Sequence, residues 1–466
     1  METFARVVSS CVVFPLLAAF ACNFADEPEP SVSADQTAQM FAELMAEVEA
    51  LRGLEFTREV PFDRLDAAGV DRYLTTVLER TGGAEHLEFQ GDVAKLLGWL
   101  APERNLEVVV RELLVDQIAG LYDPPTKRFY LAEGLHPAIV RLTMAHELVH
   151  ALDDQHFDLG AAMDARLNNS DALWAYQAVA EGSATLVHNR WTMQNLATLS
   201  AEDMRTVQEQ TTKGLSDAPE FLWKPLLGAY LAGAAFLVRT DDVLRAQLAQ
   251  PRPGDVDRAL VDPPRSSEQI LHPHKYWNAD QRDDPIAVDL DLGGLSAGWT
   301  SMGEDTLGEI GLAFATQRAA ANAAFNPLAL ARLRFTHPAA AGWGGDRHVL
   351  LAREGARVLV NHLVFDSEAD AAECKEALFG LGEWRAEALA AWARSAQTAT
   401  LATPDETQAA AFGEWVDTVD SKHLRWVLFV GCGQAAAREA ASGVGARVNA
   451  TADPERVLEG AGEGSR

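Results

Sequence analysis

Met144–Leu159 reads MAHELVHALDDQHFDL. Residues four apart on a helix share one face, so His146 and His150 project together and can offer imidazole nitrogens to one metal ion. Glu147 stands beside them, where a carboxylate can take a proton from metal-activated water. Zinc suits such a site. It accepts nitrogen and oxygen ligands in a tetrahedron, is redox-inert, and lowers the pKa of bound water. Pro137 stands where the helix begins, and no breaker interrupts the pattern to about Gln155.

A catalytic zinc site needs three protein ligands and one open position. His156 and Glu181 compete for the third place. His156 has the spacing of HExxHxxGxxH sites, but those need a glycine where this chain has Asp153. If the helix continues, His156 is turned roughly 240° from His150 and faces away. Glu181 falls in Ala178–Val187 (AVAEGSATLV), on a second long helix expected from a Ser170 or Asp171 cap to about Leu199. Gly182, Ser183 and Ala184 are small, which lets this helix approach the first. A mid-helix glycine costs on the order of 1 kcal/mol, so it signals a packing reason. Glu181 is the expected third ligand.

HELVHALDD followed by EGSA resembles the gluzincin pattern of two histidines plus a glutamate from a following helix. Several strings are similar to a group of exported bacterial and archaeal proteins regarded as metallopeptidases. These are GLYDPPTKRFYL (Gly120–Leu131), AHELVHALDDQHFDL (Ala145–Leu159), AEGSATLV (Ala180–Val187), PPRSSEQILHPHKY (Pro263–Tyr276) and GWGGDR (Gly342–Arg347). The resemblance spans about residues 100 to 370. It implies an α+β, mainly helical zincin-like core with His146, His150 and Glu181 as zinc ligands and Glu147 as general base. The chain departs from the gluzincin pattern at Thr185, where an acidic residue often orients a ligand histidine. Asp154, one turn after His150, is the candidate to give that support instead. Peptide hydrolysis also needs a donor to the developing oxyanion. His272, in a segment stiffened by Pro263, Pro264 and Pro273, is the leading candidate, ahead of Tyr276 and His188.

Upstream of the motif, Ala38–Leu54, Asp63–Arg80 and Gly91–Leu100 carry helical spacing, and Glu107–Leu121 is apolar and helical in pattern. Asp123–Thr126 supplies a turn into the strand Arg128–Leu131. Downstream, Leu159–Asn169 is a connection, Pro251–Pro264 is turn-rich, and Asp280–Asp291 is an acidic loop without the ordered spacing of a calcium site. Val349–Ala352 and Arg357–Phe365 alternate as a hairpin, Ser367–Leu378 reads as a helix, and Trp426–Val430 as a buried strand. Gly342–Arg347 is either a tight turn or a substrate-contacting loop. A boundary near Pro338 divides a zincin-like region (38–338) from a small α+β module (339–466).

The 466 residues carry 39 Lys+Arg against 68 Asp+Glu, a formal charge of -29. With no basic stripe, a nucleic-acid partner is excluded. Residues 1–21 read as a signal peptide: Arg6 precedes the apolar run Val7–Ala21, which ends in a small-x-small triplet. Cys22 follows, so the chain is either plainly secreted or anchored to a membrane through a lipid on that cysteine. Residues 22–37 form an acidic, flexible tether. Cys374 and Cys432 either pair or stay free thiols. These features predict an exported zinc metallopeptidase, periplasmic, cell-surface or extracellular, acting on peptide or protein substrates. The alternatives are a non-catalytic cell-envelope binding or scaffold protein that keeps a metal site, and a metal-dependent hydrolase of another bond.

Overall fold

A computed structural model describes residues 33–80, 83–212, 218–318, 333–398 and 411–449. The expected signal peptide, Cys22 and most of the tether lie outside the described residues. The tether ends earlier than expected. Ser33 Oγ accepts the Gln36 N–H at 3.3 Å while Gln36 Oε1 accepts the Ser33 N–H at 3.0 Å. This reciprocal cap starts helix α1 (Ala34–Arg52).

The stretch expected to be one helix over Asp63–Arg80 divides into strand β1 (Phe62–Leu65) and α2 (Ala67–Arg80). Helices α3 (Gly83–Leu96) and α4 (Leu106–Gln117) follow. Strands β2 (Gly120–Asp123) and β3 (Arg128–Ala132) make the expected hairpin, and β1 adds in parallel to give the order β1-β3-β2. The motif helix is α5 (Pro137–Phe157), with proline in its first turn and His136 Nδ1 accepting the Ala138 N–H. The connection after it contains a short helix, Leu159–Asp164.

Helix α6 (Ser170–Asn195) carries Glu181. Its cap is Asn169, whose Oδ1 accepts the Ala172 N–H at 3.0 Å, rather than Ser170 or Asp171. Those two are buried in tertiary bonds: the Ser170 N–H donates to Asp305, and Asp171 accepts the Ser267 N–H. After α7 (Ala201–Thr212) comes α8 (Glu220–Leu237), which is buried from Phe221 to Leu237 and so has no polar face to give it a readable period.

Helices α6 and α8 meet backbone to backbone. A Cβ on Gly233 would stand 1.9 Å from the Ala178 carbonyl oxygen, and one on Gly182 would stand 2.5 Å from the Gly233 carbonyl carbon. Gly182 thus serves the contact with α8 and not, as expected, the approach to α5. Ser183 and Ala184 face α5 instead: Ser183 Oγ donates to Asp153 at 2.7 Å, and Ala184 packs in one cluster with Ala145 and Leu148. Gly233→Ala must push the two helices apart. It is expected to cost roughly 3 kcal/mol or more, the scale of severe overpacking. Thermal unfolding checks this; an unchanged midpoint would show that the helices do not touch there.

The rest of the chain is built around a sheet. Strand β4 (Ala287–Asp291) occupies the last five residues of the expected acidic loop. It is followed by β5 (Thr300–Asp305), α9 (Gly308–Ala315), β6 (Trp343–Arg353), β7 (Ala356–Phe365), α10 (Glu368–Gly380) and α11 (Gly382–Thr398). Then come β8 (Phe412–Thr418), β9 (His423–Val430), α12 (Gln434–Ser442) and β10 (Gly445–Asn449). The five-stranded antiparallel sheet has the order β5-β6-β7-β9-β8, while β10 pairs with β4. Because β5 precedes Pro338, this sheet draws on both sides of the expected boundary.

Gly342–Arg347 is structural. Gly342 sits at φ 83° and β6 starts at Trp343. The buried Asp346 carboxylate accepts from the Leu307 and Gly308 N–H groups and from Trp343 Nε1. Cys374 and Cys432 are both free thiols. The fold is α+β. No helix among the described residues is long and apolar enough to cross a membrane.

Candidate metal centre

Helix α5 brings His146, Glu147 and His150 to one place, and α6 lays Glu181 across them. His146 Nε2 is 3.1 Å from Glu181 Oε2 and 3.2 Å from His150 Nε2, which is 3.4 Å from the same carboxylate oxygen. Three donors at zinc distances of about 2.0–2.1 Å in a tetrahedron stand about 3.3–3.4 Å apart. The two nitrogens and one oxygen found here fit that spacing, and they are ligand types zinc takes. Glu147 lies beside this triad, with donor atoms of His146, Glu147 and His150 all within 4.8 Å of one another. All four side chains are buried, from 0% exposed for His146 to 5% for His150. A second acidic group, Glu268 with Asp283 and Asp366, already holds a cation: Lys275 Nζ donates to all three at 2.7–2.8 Å.

Electrostatics link the four residues. Burial raises the Glu147 carboxyl to about 8, with the Glu181 charge adding to the shift and His150 and the Tyr122 N–H opposing it. Burial alone would lower His150, but Glu181, Glu147 and Asp153 outweigh it and lift the imidazole to about 9. Burial drives His146 the other way, towards the neutral form. The metal-free triad is then a His150 imidazolium paired to the Glu181 carboxylate. A metal ion needs the neutral imidazole, so it must displace that proton. The protonated form dominates below about pH 9. Apparent zinc affinity is therefore expected to fall about tenfold per unit as pH drops from 8 to 6. Zinc titrations at three pH values check this; a flat profile would show that His150 is already neutral.

Several supports come from elements that sequence spacing does not connect. Strand β2 passes against α5 so closely that a Cβ on Gly120 would lie 2.7 Å from Thr143 Cγ2. That approach lets the Tyr122 N–H donate to Glu147 Oε2 at 2.6 Å. The Tyr122 hydroxyl donates to Asp154 Oδ2 at 2.7 Å, and Lys127 Nζ donates to Asp154 Oδ1 at 2.9 Å. Asp154 was expected to orient a ligand histidine. It holds Tyr122, and through it the strand that fixes Glu147. The residue joining α5 to its neighbours is Asp153, which accepts from Arg52 Nε and Ser183 Oγ at 2.7 Å each. On the far side of His146, the Tyr230 ring of α8 lies stacked at 5.7 Å and the His188 ring edge-on at 5.9 Å.

The remaining expected residues distribute as follows. Thr185 is fully buried and its Oγ1 has no hydrogen-bond partner; the same is true of His146 Nδ1, so the histidine receives no support from that position. His188 is held near neutral by burial, its pKa down to about 3. His272 pairs with a buried carboxylate: its Nε2 meets Glu309 at 3.0 Å, and Thr336 donates to the same oxygen. Tyr276 donates to the Asp262 carbonyl. His156 faces out, with Nε2 on the Glu55 carbonyl at 2.8 Å, as continuation of the helix requires. Tyr122, Tyr230 and Asp153 had no signal in the motif, apart from the absence of a glycine at 153.

Residues 297–424, which hold most of the five-stranded sheet and none of the triad, match a domain of unknown function (DUF8575). No curated protein matches the chain. No solved structure matches it either.

Proposed function

We propose that this chain is a zinc-dependent peptide hydrolase with His146, His150 and Glu181 as ligands and Glu147 as general base. The observation that carries the reading is the convergence of three donor atoms from two helices, 3.1–3.4 Å apart, with a fourth carboxylate alongside. Zinc held there would supply a Lewis acid for the carbonyl and a water of depressed pKa. Glu147 has Oε2 held by the Tyr122 N–H, which leaves Oε1 to take a proton from the attacking water and return it to the leaving amine. Its dry surroundings keep the carboxyl basic enough for that exchange near neutral pH.

The near-complete burial of the group favours a second reading, a closed structural metal site in a non-catalytic scaffold. Metal analysis and an assay on mixed peptides separate the two. The hydrolase reading expects about one zinc per chain, cleavage lost on chelation, and cleavage restored by zinc. Stoichiometric zinc with no cleavage of any peptide would leave the scaffold.

A further inference from the structure

Residues from the β2–β3 turn, the end of α5 and the segment before Pro264 line a cavity of about 660 Å³. Its wall includes Arg58, Lys127, Asp154, Arg166, Leu260 and Pro263. Asp154 is one turn beyond His150 on α5, so the cavity begins about 6 Å along the helix from a metal ligand. Lys127 Nζ is neutralised by Asp154 at 2.9 Å and Asp158 at 3.1 Å. Lys127 and Asp158 both hold positive φ, 55° and 50°, the second as the left-handed C-cap that ends α5.

Arg58 and Arg166 differ from Lys127. Neither guanidinium forms a salt bridge with a carboxylate among the described residues, although the Arg58 charge helps hold the Asp158 carboxyl low. Arg166 donates to the Ala162 carbonyl and lies 4.8 Å over the Tyr176 ring, and burial pushes it below the ordinary arginine value. In a chain with 68 acidic residues against 39 basic ones, two guanidiniums on one cavity wall without a salt bridge among the described residues offer a place for an outside anion.

We propose that this cavity receives a carboxylate of the substrate, from an acidic side chain or a free chain end, adjacent to the bond held at the metal centre. The proposal rests on the hydrolase reading above. Arg58 and Arg166 supply forked donors that match a carboxylate, and Leu260 and Pro263 supply an apolar wall for the stem that carries it.

The test uses the zinc-loaded full chain and four probes: N-acetylglutamate amide, N-acetylglutamine amide, N-acetylalanine and N-acetylalanine amide. Calorimetric binding is expected for one or both anions and for neither neutral amide, which also tells side chain from chain end. Arg166→Met and Arg58→Gln are each expected to weaken that binding by roughly tenfold. Arg58 is exposed, so its variant is informative even if Arg166→Met disturbs the packing on Tyr176. Anion binding that survives both substitutions unchanged, as a carboxylate on the metal alone would, overturns the proposal. Peptides differing only in Glu against Gln near the cleaved bond give the second arm. Cleavage without any preference sinks the carboxylate pocket and spares the hydrolase. Arginine-dependent anion binding with no cleavage supports the pocket and sinks the hydrolase.

Discussion

Glu147→Gln is expected to lower peptide hydrolysis by about 10²–10⁴-fold while zinc content stays unchanged. The amide keeps the size of the side chain, and its carbonyl oxygen can still accept the Tyr122 N–H that now reaches Glu147 Oε2 at 2.6 Å. What it loses is the proton-accepting oxygen. The proposed zinc ligands are other residues, so metal analysis should not distinguish the variant from the parent. A second consequence follows from charge. Above about pH 8, where the parent Glu147 carboxyl is ionised, it is one of the groups that favour the His150 imidazolium, so the variant should differ in proton competition for zinc there and match the parent at lower pH. Turnover within a few-fold of the parent, with the protein folded and loaded, would remove Glu147 as the base.

Glu181→Ala carries the second large effect, this time on the metal. Removing a partner behind a ligand typically costs 10–100-fold in metal affinity, so loss of one of three direct donors is expected to cost about 100-fold or more. Zinc should fall below one per chain after dialysis. The fold has a way to tolerate the change. With the carboxylate gone, the main influence lifting His150 disappears, and burial then favours the neutral imidazole, so no charge is stranded. Thermal unfolding of the metal-free variant should stay near that of the metal-free parent, which keeps the metal result readable. Full zinc retention in Glu181→Ala would mean that α6 does not complete the site.

The motif residues were legible because their relation is local. His146, Glu147 and His150 lie on one helix, and the helical repeat alone puts the two imidazoles together. Glu181 was legible from the small residues after it, though the reason was partly misread. Gly182 accommodates Gly233 of a helix buried on every side, which carries no readable period, and only Ser183 and Ala184 serve the meeting with α5. His272 has a tertiary partner that its spacing does not show. Its stiff, proline-flanked segment suggests a presented side chain, but the chain returns Glu309 to it from 37 residues away. Tyr122 could not be found at all, because the group that binds Glu147 is its backbone N–H, which every residue but proline carries.

The order of residues by itself determined the α+β character, the proline start of the motif helix and the hairpin turn before it, and the pairing of imidazoles on one helical face. These depend on interactions within a few residues, which sequence spacing encodes directly. Tertiary structure decided how Glu181 reaches both nitrogens, which oxygen of Glu147 is held, and why Asp154 serves a tyrosine. Each of those depends on packing between elements distant in the chain, where backbone approach at Gly182, Gly233 and Gly120 sets the distances.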